Sequence, residues 1–156
     1  MFYITRSNRR RRDFEHTQKV DSGELTLQLV RDIGVWWNST QAMIQRALQL
    51  KDALHRYCKN WRPIHGESYD LKKDALDATD WEELEHFDEL LKPFEKATKR
   101  AEGNAITGSH GALWEVIPIM DYLFNTLKMH ADEIMATPSL FSDHYQHCIN
   151  HGFVKL

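Results

Sequence analysis

The chain of 156 residues is 42% hydrophobic and 28% charged, long enough for one ordinary domain and short for two. Four Pro and seven Gly exclude a collagen-like or low-complexity polymer. No apolar run approaches the roughly 20 residues of a membrane span, and Met1-Phe2-Tyr3-Ile4 gives way at once to arginines, unlike a secretory signal. The net charge of −3 is unevenly spread: residues 1–20 carry +4 and residues 67–95 carry −8, so a basic head that could meet phosphate precedes an acidic body that would repel it.

The expected fold class is all-α, an irregular helical bundle with a short extended segment near the N-terminus. Residues 1–20 form a basic helical lead-in, 21–38 an extended connector and 39–156 a helical body. From Arg6 to Lys19 the sequence has no Gly or Pro and many good helix formers, and Asp21-Ser22-Gly23 breaks it. Leu25, Leu27 and Leu29 then alternate with Thr26 and Gln28, which predicts a strand or an extended connector ended by Gly34.

Asn38, Ser39 and Thr40 each offer a side-chain oxygen to the free amides of a first helical turn. Met43, Ala47, Leu50, Leu54, Tyr57 and Trp61 follow on one face, and Pro63 predicts a stop near Asn60. Residues 63–78 read as a surface connection. Thr79-Asp80-Trp81-Glu82 fits a capping box, and it opens a stripe of Trp81, Leu84, Phe87, Leu91, Phe94 and Ala97. Pro93 inside that stripe should kink the helix, because it lacks an amide donor and its ring crowds the preceding turn. Gly103-Asn104 is a C-terminal stop.

A further helix is expected from about Ser109 to Met135, bent at Pro118 and ended by Thr137-Pro138. A last segment carries Phe141, Tyr145, Ile149 and Phe153. Its apolar face runs to Leu156 without a cap or a polar tail, the pattern of a helix cut from a longer chain.

Three features carry potential chemistry. The tryptophans Trp36 and Trp37 stand just before the expected cap, where aromatic side chains pack back onto a helix as a hydrophobic staple. The same pair could instead form a plate for an unpaired base, since stacking on tryptophan contributes about 1–3 kcal/mol. The run Arg9, Arg10, Arg11 and Arg12 is either a solvated helix face or a phosphate contact. His144, His147, Cys148 and His151 share a presumed helix and could present nitrogen and sulfur to zinc, but structural zinc sites draw ligands from two elements and no second cluster follows. No metal and no cofactor is expected. Cys58 and Cys148 are too few for a disulfide scaffold and point to a reducing compartment. No Gly-rich phosphate loop, Gly-x-Ser-x-Gly elbow or His-Glu-x-x-His motif is present.

Leu29-Val30-Arg31-Asp32-Ile33-Gly34-Val35-Trp36-Trp37-Asn38-Ser39-Thr40 resembles the signature in which hAT transposases carry Thr-Arg-Trp-Asn-Ser-Thr. The resemblance continues through Met43-Ile44-Gln45-Arg46-Ala47-Leu48, Leu90-Leu91-Lys92-Pro93-Phe94, Ala101-Glu102-Gly103-Asn104 and Gly111-Ala112-Leu113-Trp114-Glu115-Val116-Ile117-Pro118. Arg10-Arg11-Arg12-Asp13-Phe14 and Ile149-Asn150 through Lys155-Leu156 also fit, in the right order over most of the chain.

The resemblance implies an RNase H-like parent enzyme in which two aspartates and a glutamate hold divalent metals for strand cleavage and transfer. Its helical domain is inserted before the glutamate. The present sequence corresponds to part of that insertion and its lead-in, without the three acids, so no nuclease activity is expected of it. Trp37 matches the family tryptophan that stacks on the base flipped out beside the cleavage point. The family arginine before it is replaced by Trp36, which cannot make the same charged contact. The expected partner is DNA, through Trp36, Trp37 and Arg9–Arg12, and by resemblance the compartment is the nucleus. The other expectation is a small interaction module that docks on a protein partner, or on itself, through exposed apolar helix faces.

Overall fold

The computed structural model describes residues 2–22, 26–32, 37–63, 69–104, 109–110, 113–136 and 142–155. Leu25, Gly34, Trp36, Gly66, Thr137-Pro138 and Phe141 lie outside the described residues, with the expectations attached to them. The fold is all-helical, with α1 Phe2–Thr5, α2 Asn8–Ser22, α3 Trp37–Gln49, α4 Lys51–Lys59, α5 Ala78–Glu102, α6 Val116–Ala136 and α7 Ser142–Lys155. Short 3-10 turns at Leu71–Asp74 and Leu113–Glu115 and one two-residue antiparallel pair complete the described elements. The chain divides into two compact units, Met1–Asp88 and Glu89–Leu156, and the boundary falls inside α5.

In the first unit Ile4, Phe14, Leu50, Ala53, Tyr57, Cys58, Trp61 and Leu71 form the core. The expected face of residues 43–61 supplies much of it. One turn is interrupted: Leu50 leaves helical geometry at φ −106° and ψ 16°, which separates α3 from α4. The break is mild, because the Leu50 amide still reaches the carbonyls of Arg46 at 3.2 Å and Ala47 at 3.1 Å. Lys59 ends α4, close to the expected stop before Pro63. The connection that follows is anchored, since the Asp70 carboxylate accepts from the Lys72 amide at 3.1 Å and Leu71 enters the core.

Two expected starts move. Helix α3 begins at Trp37, ahead of Asn38, Ser39 and Thr40, and the Ser39 hydroxyl donates to Asp32 Oδ1 at 2.5 Å. The capping box of α5 is built from Asp77 and Asp80: the Asp80 amide donates to Asp77 Oδ1 and the Asp77 amide to Asp80 Oδ2, both at 2.9 Å. The same reciprocal logic as the expected Thr79–Glu82 box operates two residues earlier, with a carboxylate in the capping position.

In the second unit α5 continues through Pro93 to Glu102, where Gly103-Asn104 ends it as expected. Gly103 and Asn104 then pair with His110 and Ser109, a bridge absent from the sequence expectation. Arg100 Nε donates to Glu115 Oε2 at 2.8 Å beside it. Helix α6 starts at Val116, later than expected, which puts Pro118 in the first turn. A missing amide costs nothing there, because the first four amides of a helix have no partner within it.

Helices α6 and α7 pack together. Leu123, Leu127 and Ala131 of α6 and Tyr145 and Ile149 of α7 are their buried residues. Gly152 allows a close approach: a Cβ there would lie 3.1 Å from Leu127 Cδ1. Much of the apolar stripe expected on α6 is nevertheless uncovered. Ile117, Met120, Phe124 and Met135 are exposed, as is Trp114 just before them.

Candidate functional site

The arginine run occupies the first turns of α2 and divides into two pairs with different tasks. Helix α1 is a single turn, so its last carbonyls have no continuing helix to satisfy them. Arg11 supplies donors, with Nε and Nη2 reaching the Thr5 carbonyl at 2.9 Å and 2.5 Å. Arg10 Nη1 donates to the Tyr3 carbonyl at 3.1 Å, and its guanidinium lies 3.7 Å from the centroid of the Tyr3 ring. Tyr3 in turn meets Trp61 edge-on at 5.3 Å. Arg10 and Arg11 thus pin α1 to α2. Arg9 and Arg12 are exposed and form no hydrogen bond or ion pair among the described residues.

The extended segment 26–32 has no strand neighbour among the described residues; side chains hold it. Gln18, at 2% exposure, accepts from the Leu27 amide through Oε1 at 2.8 Å and donates to the Leu27 carbonyl through Nε2 at 3.1 Å. One primary amide therefore does for Leu27 what a neighbouring strand would do. Gln28 donates to Glu15 at 3.0 Å, and its carbonyl accepts from Arg46 of α3. Asp32 closes the segment against Ser39. The alternating leucines report an extended backbone, and the absence of a sheet partner makes it a connector.

These anchors lead into the first turn of α3. Trp37 opens the helix, and Trp36 lies outside the described residues. One turn on, Gln41 is 1% exposed and neither polar atom of its amide finds a partner among the described residues. The Oδ1 atom of Asn38 is likewise buried and unpartnered. An unanswered buried amide costs about 1–3 kcal/mol, so this turn holds hydrogen-bonding capacity that the described residues leave unused. Spacing alone did not single out these two residues. Gln41 at i+4 from Trp37 was the available signal, but burial without a partner is a tertiary property.

The histidine-rich face of α7 brings His147 and His151 edge to edge at 4.6 Å. Among the described residues, no group of three His, Cys, Asp or Glu side chains is placed to hold a metal. Burial pushes the Cys58 thiol above its usual pKa, which keeps it protonated at neutral pH, the opposite of an activated nucleophile. No helix among the described residues is long and apolar enough to cross a membrane.

No family model matches the chain, and no solved structure matches it. A curated protein of the fungus Talaromyces stipitatus, named "Putative transcriptional regulator tpeD", is similar at 29% identity over 132 residues. The match covers 85% of this chain and 14% of that protein, so the chain spans about one-seventh of the relative's length.

Proposed function

We propose that the chain is a helical segment of hAT-transposase type, without nuclease activity of its own, that retains contact with unpaired DNA at the N-terminal turn of α3. The observation that carries the reading is that Trp37 opens α3, with Asn38, Ser39 and Thr40 following in its first turn. Stacking on tryptophan holds an unpaired base without reading its edge. The run Trp37-Asn38-Ser39-Thr40, where the sequence resembles the family signature, stands at this turn. The relative's description as a transcriptional regulator is compatible with a DNA-contacting chain, and nuclear residence follows from the same reading.

Anisotropy of a labelled hairpin with an unpaired flanking base, at low salt, tests it. Binding that weakens roughly tenfold in Trp37→Ala, the lower part of the range for one lost stack, supports the reading. No binding, or binding indifferent to Trp37→Ala, refutes it. Metal-dependent cleavage of DNA by the purified chain would overturn the non-catalytic part.

A second reading is favoured by the exposure of Trp114 (81%), Ile117 (74%) and Met135 (70%) in the second unit. Exposed apolar side chains concentrated on one helix are a feature of interaction surfaces. Here the chain is a small interaction module whose α6 face docks on a protein helix. Self-association or partner capture that is abolished by Ile117→Asp with Phe124→Asp, in a variant of unchanged helicity, supports this reading. A monomer indifferent to both substitutions, with no partner captured, removes it.

A further inference from the structure

With Arg10 and Arg11 committed to α1, the solvent face of α2 is defined by other residues. Arg9, Arg12, His16 and Lys19 are all exposed and recur at steps of three and four. At 100° per residue they fall within an arc of about 80°, opposite the face that buries Phe14 and Gln18. Their backbone positions span about 15 Å along the helix axis at 1.5 Å per residue. None of the four side chains forms a hydrogen bond or ion pair among the described residues. Asp13 borders the stripe on one side. The Glu15 carboxylate on the other side accepts from Gln28.

We propose that this face of α2 docks on the sugar–phosphate backbone of duplex DNA, with Arg9, Arg12 and Lys19 as the permanently charged contacts and His16 between them. The proposal rests on the reading of the chain as a DNA-contacting segment but uses a different surface from the turn of α3. A 15 Å stripe is long enough to meet more than one phosphate of a strand. Unpaired guanidinium forks match phosphate oxygens two at a time. Protein interfaces are anchored by large apolar and aromatic side chains, and on this face the exposed large apolar side chain among the described residues of α2 is Val20, at the C-terminal flank of the stripe. Backbone contact needs only spaced cations, and it positions DNA without reading sequence. The acidic remainder of the chain confines such contact to this face and makes it weak at high salt.

The test is the salt dependence of binding to a labelled random-sequence duplex, compared among the full chain, a triple variant Arg9→Gln, Arg12→Gln, Lys19→Gln, and a control Lys72→Gln, Lys73→Gln elsewhere on the surface. Each neutralised phosphate contributes about 0.9 to the slope of log affinity against log salt, so the triple variant should flatten the slope by about 2–3. Its affinity at about 50 mM salt should fall tenfold or more, while the control keeps both values. Helicity by circular dichroism is unchanged, since the replaced groups hold nothing in the fold. Loss of slope in the control as much as in the triple variant, or an unchanged slope in the triple variant, overturns the proposal. A stripe that instead drives salt-sensitive self-association, measured by light scattering, also overturns it in favour of an acidic protein partner. The two readings fail separately: Trp37→Ala without effect on the hairpin removes the α3 reading and leaves the duplex slope standing, and the reverse pattern removes the α2 stripe alone.

Discussion

Replacing Gln18 with Met keeps the length and most of the volume of the side chain and deletes both of its hydrogen bonds to Leu27. The structure sets the magnitude. Gln18 is buried, and its partners are the amide and the carbonyl of one residue on a segment without a strand neighbour among the described residues. Each bond contributes about 1 kcal/mol net, and each backbone group left unanswered costs about 1–3 kcal/mol if it stays dry. Partial access to water at the half-buried segment lowers that figure, so we expect a loss of about 2–4 kcal/mol. For a chain of this size that corresponds to roughly 5–12 °C in Tm. Urea unfolding followed by tryptophan fluorescence reports on this unit through the buried Trp61 and Trp81. Hydrogen exchange adds a local readout, because the Leu27 amide should lose its protection in the variant. A loss below about 0.5 kcal/mol, the level of an ordinary surface site, or a Leu27 amide that stays protected, would refute the idea that one side chain substitutes for a strand.

Other outcomes follow from particular contacts. Asp77→Ala removes the acceptor that caps α5 and should lower the unfolding free energy by about 1 kcal/mol, whereas Thr79→Ala leaves the urea midpoint nearly unchanged. Arg11→Gln frees the Thr5 carbonyl and should cost about 1–2 kcal/mol, while Arg9→Gln stays within about 0.5 kcal/mol; equal effects would contradict the division of the arginine run. Burial first, and the nearby Asp13 carboxylate second, push the Tyr57 phenol up to about 12. Its neutral form is the one the fold holds, so the associated stability is complete below about pH 10 and is lost as the pH rises toward 12. Absorbance titration at alkaline pH shows this late phenol. Tyr57→Phe removes it and, because the hydroxyl is buried without a partner, is neutral or slightly stabilising at pH 7.

The candidate site was legible in outline. The cap candidates Asn38, Ser39 and Thr40 fall within a few residues of the start of α3 at Trp37, and the run of arginines marks a basic helix. Neither pattern discloses what the side chains touch. Arg10 and Arg11 lie seven and six residues, respectively, from the carbonyls they hold, across a turn at Arg6 whose direction no periodicity encodes. Helical spacing alone puts Arg9, Arg12, His16 and Lys19 on one face; what it leaves open is that Arg10 and Arg11 are committed to α1. Gln41 carries no mark in the sequence beyond a helical position; its isolation follows from being buried where nothing answers it.

Local rules act within one or two turns, and at that range the sequence by itself determined the outcome. The helical class, the end of α4 before Pro63 and the end of α5 at Gly103 follow from backbone geometry and orphan amides. Where a rule admits neighbouring solutions, as with the cap of α5, the shift is two residues. Tertiary structure decided whatever depends on a distant partner. The segment around Leu27 and Gln28 is a connector because Gln18, Glu15 and Arg46 hold it in place of a neighbouring strand. The stripe on α6 stayed largely exposed because periodicity states which face is apolar and is silent on what covers it. The basic head became two structural arginines beside an exposed basic face because a single-turn helix cannot satisfy its own carbonyls.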